Sequence, residues 1–348
     1  MIKEKIIDSI KNKKMLTRIT LELTNKCNLR CVHCYQEERN EAYNIKFLSL
    51  DSIQKLLKDI KNLGIITIVL TGGEVFTHPD IYKIISAIKA ENYRIAILSN
   101  LTMINEKNID FLQMNVNSIS TSVYGTTKDV YESVTRVKGS YEKYSCAVKL
   151  IRSHTDIKLI EKAIVLKNNF CQYSSLINKT DASDARIIVN NSNNYCESLC
   201  LNEDELFEYW KLFLDKHKNE EILYKKKKKA TMCNAFNDSL FIDITGNIIG
   251  CLNLDVPELV LGNINYDNLS DVWHSKKTAA IINNFHNNIL NCKCFNCSYG
   301  RYAFVCPAYN YYETNNYCVP SSQACLQCEI KHKIVNEKEN NYETISFK

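Results

Sequence analysis

Glycine and proline are scarce, at 9 and 4 in 348 residues. A chain so poor in both is not a collagen, a loop-rich secreted mini-fold or a low-complexity disordered segment. A dominant charge of one sign is missing too, since 44 Lys and Arg against 39 Asp and Glu leave a formal +5. Spread over this length, +5 makes no basic face, which argues against nucleic acid as a partner. No apolar run approaches the ~18 residues of a membrane span, and Met1 to Lys14 is a mixed Lys/Ile segment with no small-residue cleavage site. These absences point to the cytoplasm, away from the membrane. Against them stand 16 Cys. Cytoplasmic thiols stay reduced, so clustered ones serve as metal ligands or catalytic groups more often than as disulfides. The 45% apolar content fits an ordinary globular interior, and a chain beyond ~250–300 residues is expected to divide into two domains.

The cysteines sort by position: Cys27, Cys31 and Cys34; then Cys146, Cys171, Cys196 and Cys200; then nine from Cys233 to Cys328. Isolated Cys behaves as a small buried hydrophobe, which is the expectation for Cys146 and Cys171. Cys196 and Cys200 are candidates for an added ligand to the last group. Up to about residue 220, short β-like runs alternate with amphipathic helical stripes. The strands expected are 18–23, 66–70, 94–98, 118–123, 162–167 and 186–190. Leu50–Leu63 reads as a helix capped by Gly64, and Ile81, Ile84, Ile85 and Ile88 repeat the stripe. Six βα units imply an α/β fold, a parallel sheet with outer helices that forms a partial, unclosed (β/α)6 TIM-like barrel. Sites in such sheets lie at the C-terminal strand ends. There the sequence reads Thr24-Asn25-Lys26-Cys27, Thr71-Gly72-Gly73-Glu74, Ser99-Asn100-Leu101-Thr102 and Tyr124-Gly125.

Cys27-x3-Cys31-x2-Cys34 offers three thiolates from one loop. A structural zinc site wants four ligands, whereas three thiolates on a four-iron cluster leave one iron open. This loop after the first strand, with Gly-Gly-Glu after the second, resembles the radical S-adenosylmethionine (SAM) enzymes from about residue 17 to 220. The resemblance implies a 4Fe-4S cluster whose open iron chelates SAM, reductive cleavage of the sulfonium, and hydrogen abstraction by a 5′-deoxyadenosyl radical. It also implies that Gly72 and Gly73 let backbone approach the methionine moiety and that Glu74 meets its ammonium. His33 would flank the adenine, Tyr35 beside it is a further cofactor-binding candidate, and Ser99, Asn100 and Ser122 would bond the ribose or carboxylate. Val75 stands where many relatives have Pro, a change in rigidity rather than in a ligand.

Past Lys225–Lys229, read as a solvated linker or an acidic-peptide strip, the rhythm stops. A hairpin is expected at 240–244 and 248–252 about Gly246, then a Cys-rich stretch. Cys233, Cys251, Cys292, Cys294, Cys297, Cys306, Cys318, Cys325 and Cys328, with Leu261–Ile264 and Leu269–Ser275 between, resemble the SPASM extension, which binds one or two auxiliary 4Fe-4S clusters. The pattern departs where Ala303 replaces a common Cys and Cys306 precedes Pro307. The resemblance groups Cys233, Cys251 and Cys306 around a nearer cluster and Cys294, Cys297 and one or both of Cys325 and Cys328 around a farther one. Cys292 or Cys318 can substitute. Zinc is the bland competitor, although the two Cys-x2-Cys pairs lie farther apart than a zinc ribbon's ~15–20 residue spacer.

The expected domains are an N-terminal helical extension (1–17), the barrel (18–222), a Lys-rich linker (223–232), an α+β auxiliary-cluster domain (233–332) and a frayed charged tail (333–348). With this layout the resemblance implies an oxidoreductase that matures a ribosomal precursor peptide, forming a thioether or carbon–carbon cross-link. Its partners would include an electron donor such as flavodoxin or ferredoxin; with only about 17 residues before the first strand, leader recognition would come from the core, the Lys run or a separate leader-binding protein. Oxidation of a small molecule or a sulfatase residue is the alternative chemistry. A non-catalytic iron–sulfur or zinc scaffold is the alternative class.

Overall fold

A computed structural model describes residues 15–34, 45–184, 197–217, 230–233, 235–254 and 256–346. Tyr35, Cys196, the expected strand 186–190, the Lys run and most of the N-terminal extension lie outside the described residues. Two compact units emerge: Met1–Ser122, Thr127–Lys162 and Asn234–Phe285 form the first, and Val123–Thr126, Ala163–Cys233 and His286–Lys348 the second.

The first unit carries the βα series: β1 (Arg18–Glu22), α1 (Leu50–Asp59), β2 (Thr67–Thr71), α2 (Ile81–Ala90), β3 (Arg94–Leu98), α3 (Ile109–Asn115), β4 (Ser118–Val123), α4 (Lys128–Thr135), α5 (Ser140–His154) and β5 (Lys158–Ile164). β1 to β4 run parallel, with Ile19 opposite Ile68, Ile68 opposite Ile95 and Ile97 opposite Ile119. Those β-branched side chains are fully buried, as expected where helices cover a parallel sheet. In α1, Ser49 caps the helix by accepting from Ser52 N–H, and Ile53, Leu56 and Leu57 face the sheet. The helix is shorter than its apolar stripe suggests. It closes at Asp59, while Ile60 and Leu63 are buried in the following turn and Gly64 takes φ +79 on the way into β2.

β5 begins four residues before the expected start. Val165 and Leu166, which extend its apolar run, are buried beyond the strand end. The expected hairpin forms as Ser239–Ile242 and Asn247–Ile249, antiparallel, with Gly246 at φ +89 in the turn. Its first strand pairs in parallel with β1, Leu240 opposite Ile19, and Glu22 at the end of β1 accepts from Ile244 N–H at 3.2 Å. The sheet of this unit therefore runs Gly262–Asn263, Asn247–Ile249, Ser239–Ile242, then β1 to β5. This is a partial TIM-like barrel with one edge extended by the C-terminal hairpin.

In the second unit, helix Glu203–Lys216 packs on the long C-terminal helix Ser322–Ser346. Lys331 Nζ sits 3.8 Å over the Trp210 ring. That helix continues through Ser346, so the charged tail is helical rather than frayed. Two isolated thiols also differ from expectation: Cys146 and Cys171 are exposed rather than buried. α5 buries Tyr144, Ala147, Val148 and Ile151, a stripe that leaves Cys146 on the outer face. No helix among the described residues is long and apolar enough to cross a membrane.

β1 is flanked by β2 on one side and by the hairpin on the other, so its apolar side chains bind the barrel to its extension. Replacing fully buried Leu21 by Ala is expected to cost about 2–5 kcal/mol, read as an earlier urea midpoint.

Candidate active site

The C-terminal ends of β1 to β4 place four loops side by side. Behind the cysteine loop, Gly73 N–H donates to Thr24 O at 2.6 Å and Glu74 N–H to Lys26 O at 2.8 Å. Gly72 lies at φ +144, and a Cβ there would fall 2.3 Å from Thr24 O; one on Gly73 would fall 2.3 Å from Lys26 O. Both glycines are thus required by the chain's own packing: the loop carrying the thiols lies flat on the Gly-Gly backbone. Thr77 Oγ1 adds a bond to Lys26 O at 3.0 Å. On the other side, Arg30 N–H and Val32 N–H donate to Thr135 O and Val134 O at the end of α4.

Glu74 is fully buried. Its Oε1 accepts from Ser99 Oγ at 2.8 Å and Phe76 N–H at 3.3 Å, and its Oε2 from Asn100 N–H at 2.8 Å. The carboxylate therefore clamps the ends of β2 and β3 together. Burial pushes its pKa up to about 7 against the three donors that favour the ion. His33 and Cys27 respond to burial as well. The imidazole is lowered to about 4 and so is neutral, while the Cys27 thiol is raised to about 11, with Glu74 and Cys34 adding to the effect. Ser122 is half-buried at the end of β4.

Asn28 and Tyr131, which sequence reading did not single out, also belong to this site, as does Thr102 from the strand-end signature. Asn28 Nδ2 donates to Thr102 Oγ1 at 2.7 Å, and Asn100 Nδ2 to Asn28 Oδ1 at 2.9 Å. Tyr131 is fully buried and feels the charges of Cys31 and Glu74. Its ring stacks on Tyr144 at 5.0 Å, and the Tyr144 hydroxyl donates to Glu161, which also meets Arg152.

Cys251 lies in the first unit and the other late cysteines in the second. Cys233 and Cys306 follow the paired parallel strands Thr231–Met232 and Phe304–Val305, and Cys233 N–H donates to Val305 O at 3.2 Å. Cys294, Cys297, Cys325 and Cys328 line one cavity of about 320 Å3 with Trp210 and Tyr299. Cys292 shares a hydrogen bond with Cys294, and Cys318 feels the charge of Cys292. Ala303 is buried, and its carbonyl accepts from Thr231 N–H at 3.0 Å.

All cysteines among the described residues are free thiols. No three Cys, His, Asp or Glu side chains among those residues are grouped as a single metal ion would require. The donor set nevertheless suits iron–sulfur clusters. Soft sulfur ligands come in threes and fours, and a thiol held near 11 becomes a thiolate when a metal takes it.

An open parallel barrel with three thiols on the β1 loop defines a radical SAM fold. Residues 21–160 match the radical SAM superfamily, and residues 233–298 match SPASM, an iron–sulfur cluster-binding domain. The chain therefore carries a radical SAM domain followed by a SPASM domain. It is 26% identical over 271 residues to the antilisterial bacteriocin subtilosin biosynthesis protein AlbA of Bacillus subtilis, covering 74% of this chain and 59% of AlbA. The chain thus spans about three fifths of that relative's length. Among solved structures, anSMEcpe with bound AdoMet shares the fold at a TM-score of 0.72 and 14% identity, over 94% of this chain and 95% of that one. SuiB of Streptococcus suis bound to precursor peptide SuiA gives 0.64 and 15%, over 92% and 79%. A radical SAM domain binds a 4Fe-4S cluster and SAM, and a SPASM domain binds auxiliary clusters.

Glu74→Gln keeps the shape of the clamp but turns an amide N–H toward an existing donor, an expected cost of about 1–3 kcal/mol. The folded carboxyl titrates above its ordinary 4.5. Its contribution to stability is therefore full below about pH 4.5 and declines as pH rises through about 7. Urea midpoints measured from pH 4 to 8 should show that decline in the native chain and its absence in Glu74→Gln. In the second unit, Cys325→Ser with Cys328→Ser should remove about four iron atoms per chain, read by iron analysis after anaerobic reconstitution.

Proposed function

We propose that the chain is a peptide maturase: it cleaves SAM reductively and oxidises a side chain or α-carbon of a small ribosomal precursor, closing a thioether or carbon–carbon cross-link. The observation that carries this reading is the pairing of a three-thiol loop at the barrel's strand ends with a four-thiol cavity elsewhere in the chain. Likeness to AlbA, named for subtilosin biosynthesis, and to SuiB bound to its precursor peptide supports a peptide substrate.

When bound, the cluster and SAM supply a 5′-deoxyadenosyl radical that takes one hydrogen atom, and the auxiliary clusters supply an acceptor for the second electron. Cys27, Cys31 and Cys34 hold the first cluster. Gly72 and Gly73 keep the loop flat, and Glu74 fixes the β3 loop beside it. Neutral His33 flanks the adenine, while Ser122 bonds the ribose or carboxylate. Cys294, Cys297, Cys325 and Cys328 form one auxiliary site. Cys233 and Cys306 belong to a second, with Cys292 and Cys318 as alternates. The reading places the protein in the cytoplasm, supplied with electrons by a flavodoxin or ferredoxin, with leader recognition from its core, its Lys run or a separate protein.

Co-expression with the short reading frames beside its gene, followed by mass spectrometry, tests the substrate class. A peptide lighter by two hydrogens per cross-link is the expected result. Unmodified peptides alongside SAM consumption would move the assignment to a small molecule.

A further inference from the structure

We propose that Asn100 is a positioning residue whose amide N–H bonds to the Cys27 sulfur and raises the reduction potential of the cluster that Cys27 holds. The inference rests on the radical SAM reading of the Cys27 loop and goes beyond it. Asn100 Nδ2 lies 3.8 Å from Cys27 Sγ, and Leu29 N–H reaches the same sulfur at 3.4 Å.

The rest of the amide leaves no freedom. Oδ1 accepts from Thr102 N–H at 3.0 Å and from Thr102 Oγ1 at 2.6 Å. Nδ2 spends its other hydrogen on Asn28 Oδ1 at 2.9 Å. Asn28 Nδ2 then donates to Thr102 Oγ1 at 2.7 Å and closes the ring. A backbone N–H can only donate, so Thr102 N–H decides which amide atom is the oxygen. A flipped amide would set NH2 against that donor and oxygen against both Asn28 Oδ1 and the sulfur. The backbone of Asn100 is pinned as well, since its N–H donates to Glu74 Oε2 at 2.8 Å. Both lone-pair sites and both hydrogens of the side chain are therefore committed within the protein. It serves the cluster's ligand in place of SAM.

A donor on a ligating sulfur favours the form of the cluster with more negative charge, which is the reduced one. Removing the donor makes reduction harder without removing a ligand. Asn100→Asp keeps the bonds to Thr102 and turns a carboxylate oxygen toward the thiolate. Its expected effect is at least a tenfold smaller equilibrium constant for reduction, about 59 mV toward more negative potential for one electron. Asn100→Ala should shift in the same direction by less.

The test is an EPR-monitored redox titration of the reconstituted full chain. The first cluster is recognised as the signal that changes when SAM is added and that is lost in the Cys27, Cys31 and Cys34 triple Ala variant. A negative shift of that signal, with the auxiliary signals and the iron content unchanged, supports the role. An unshifted potential at full iron content overturns it. If Asn100→Asp loses iron, Asn28→Ala carries the same test, because it frees the amide while leaving Asn100 in place. A native chain with no SAM-responsive signal overturns the radical SAM reading itself, whereas a responsive but unshifted signal overturns only the role of Asn100.

Discussion

Two short backbone hydrogen bonds carry the active site: Gly73 N–H to Thr24 O at 2.6 Å and Glu74 N–H to Lys26 O at 2.8 Å. They fix a loop of irregular backbone, which has no ladder of its own, onto the end of a buried parallel strand. Neither bond can form with a side chain at Gly72 or Gly73, because each Cβ would meet a carbonyl at 2.3 Å. Scarce glycine thus sits where backbone meets backbone. Glu74 extends the same lock sideways to β3 through Ser99 and Asn100, and the Asn28–Asn100–Thr102 ring ties the β3 loop back to the cysteine loop. This network holds in place a loop that carries three thiols.

The second unit solves a different problem. Its thiols come from segments far apart in sequence, brought together by a long helix, a short helix and a two-stranded ladder. Four of them line one cavity. A full set of four protein ligands closes a cluster against exogenous ligands, which suits electron transfer rather than substrate chelation. The proposed maturase reading assigns the open arrangement to the first unit and the closed one to the second.

Much of this was legible in the sequence. The first four strands stood out because β-branched runs alternate with helical stripes, and their polar ends named the Cys27 loop, Glu74 and Ser99. β5 was displaced because the apolar Ala163–Leu166 run continues past the strand, where Val165 and Leu166 fill the core off the sheet. The packing of Cys146 and Cys171 was misjudged, since burial of a lone thiol depends on which helix face it occupies. For the glycines the structure adds a second demand, since the atoms nearest a Cβ there belong to Thr24 and Lys26. The link between Asn28 and Thr102 was invisible for a simpler reason. They are ordinary polar residues whose partners lie 72 to 74 positions away, a separation no local pattern reports.

The central claim is that these residues build a radical-generating site rather than an iron–sulfur or zinc scaffold. It is tested most directly by incubating the anaerobically reconstituted chain with SAM and a strong reductant and measuring 5′-deoxyadenosine. The account predicts its formation by the native chain and its loss when Cys27, Cys31 and Cys34 are replaced by Ala, with auxiliary iron retained. No 5′-deoxyadenosine from a native chain with full iron content, or equal amounts from the triple variant, would contradict it.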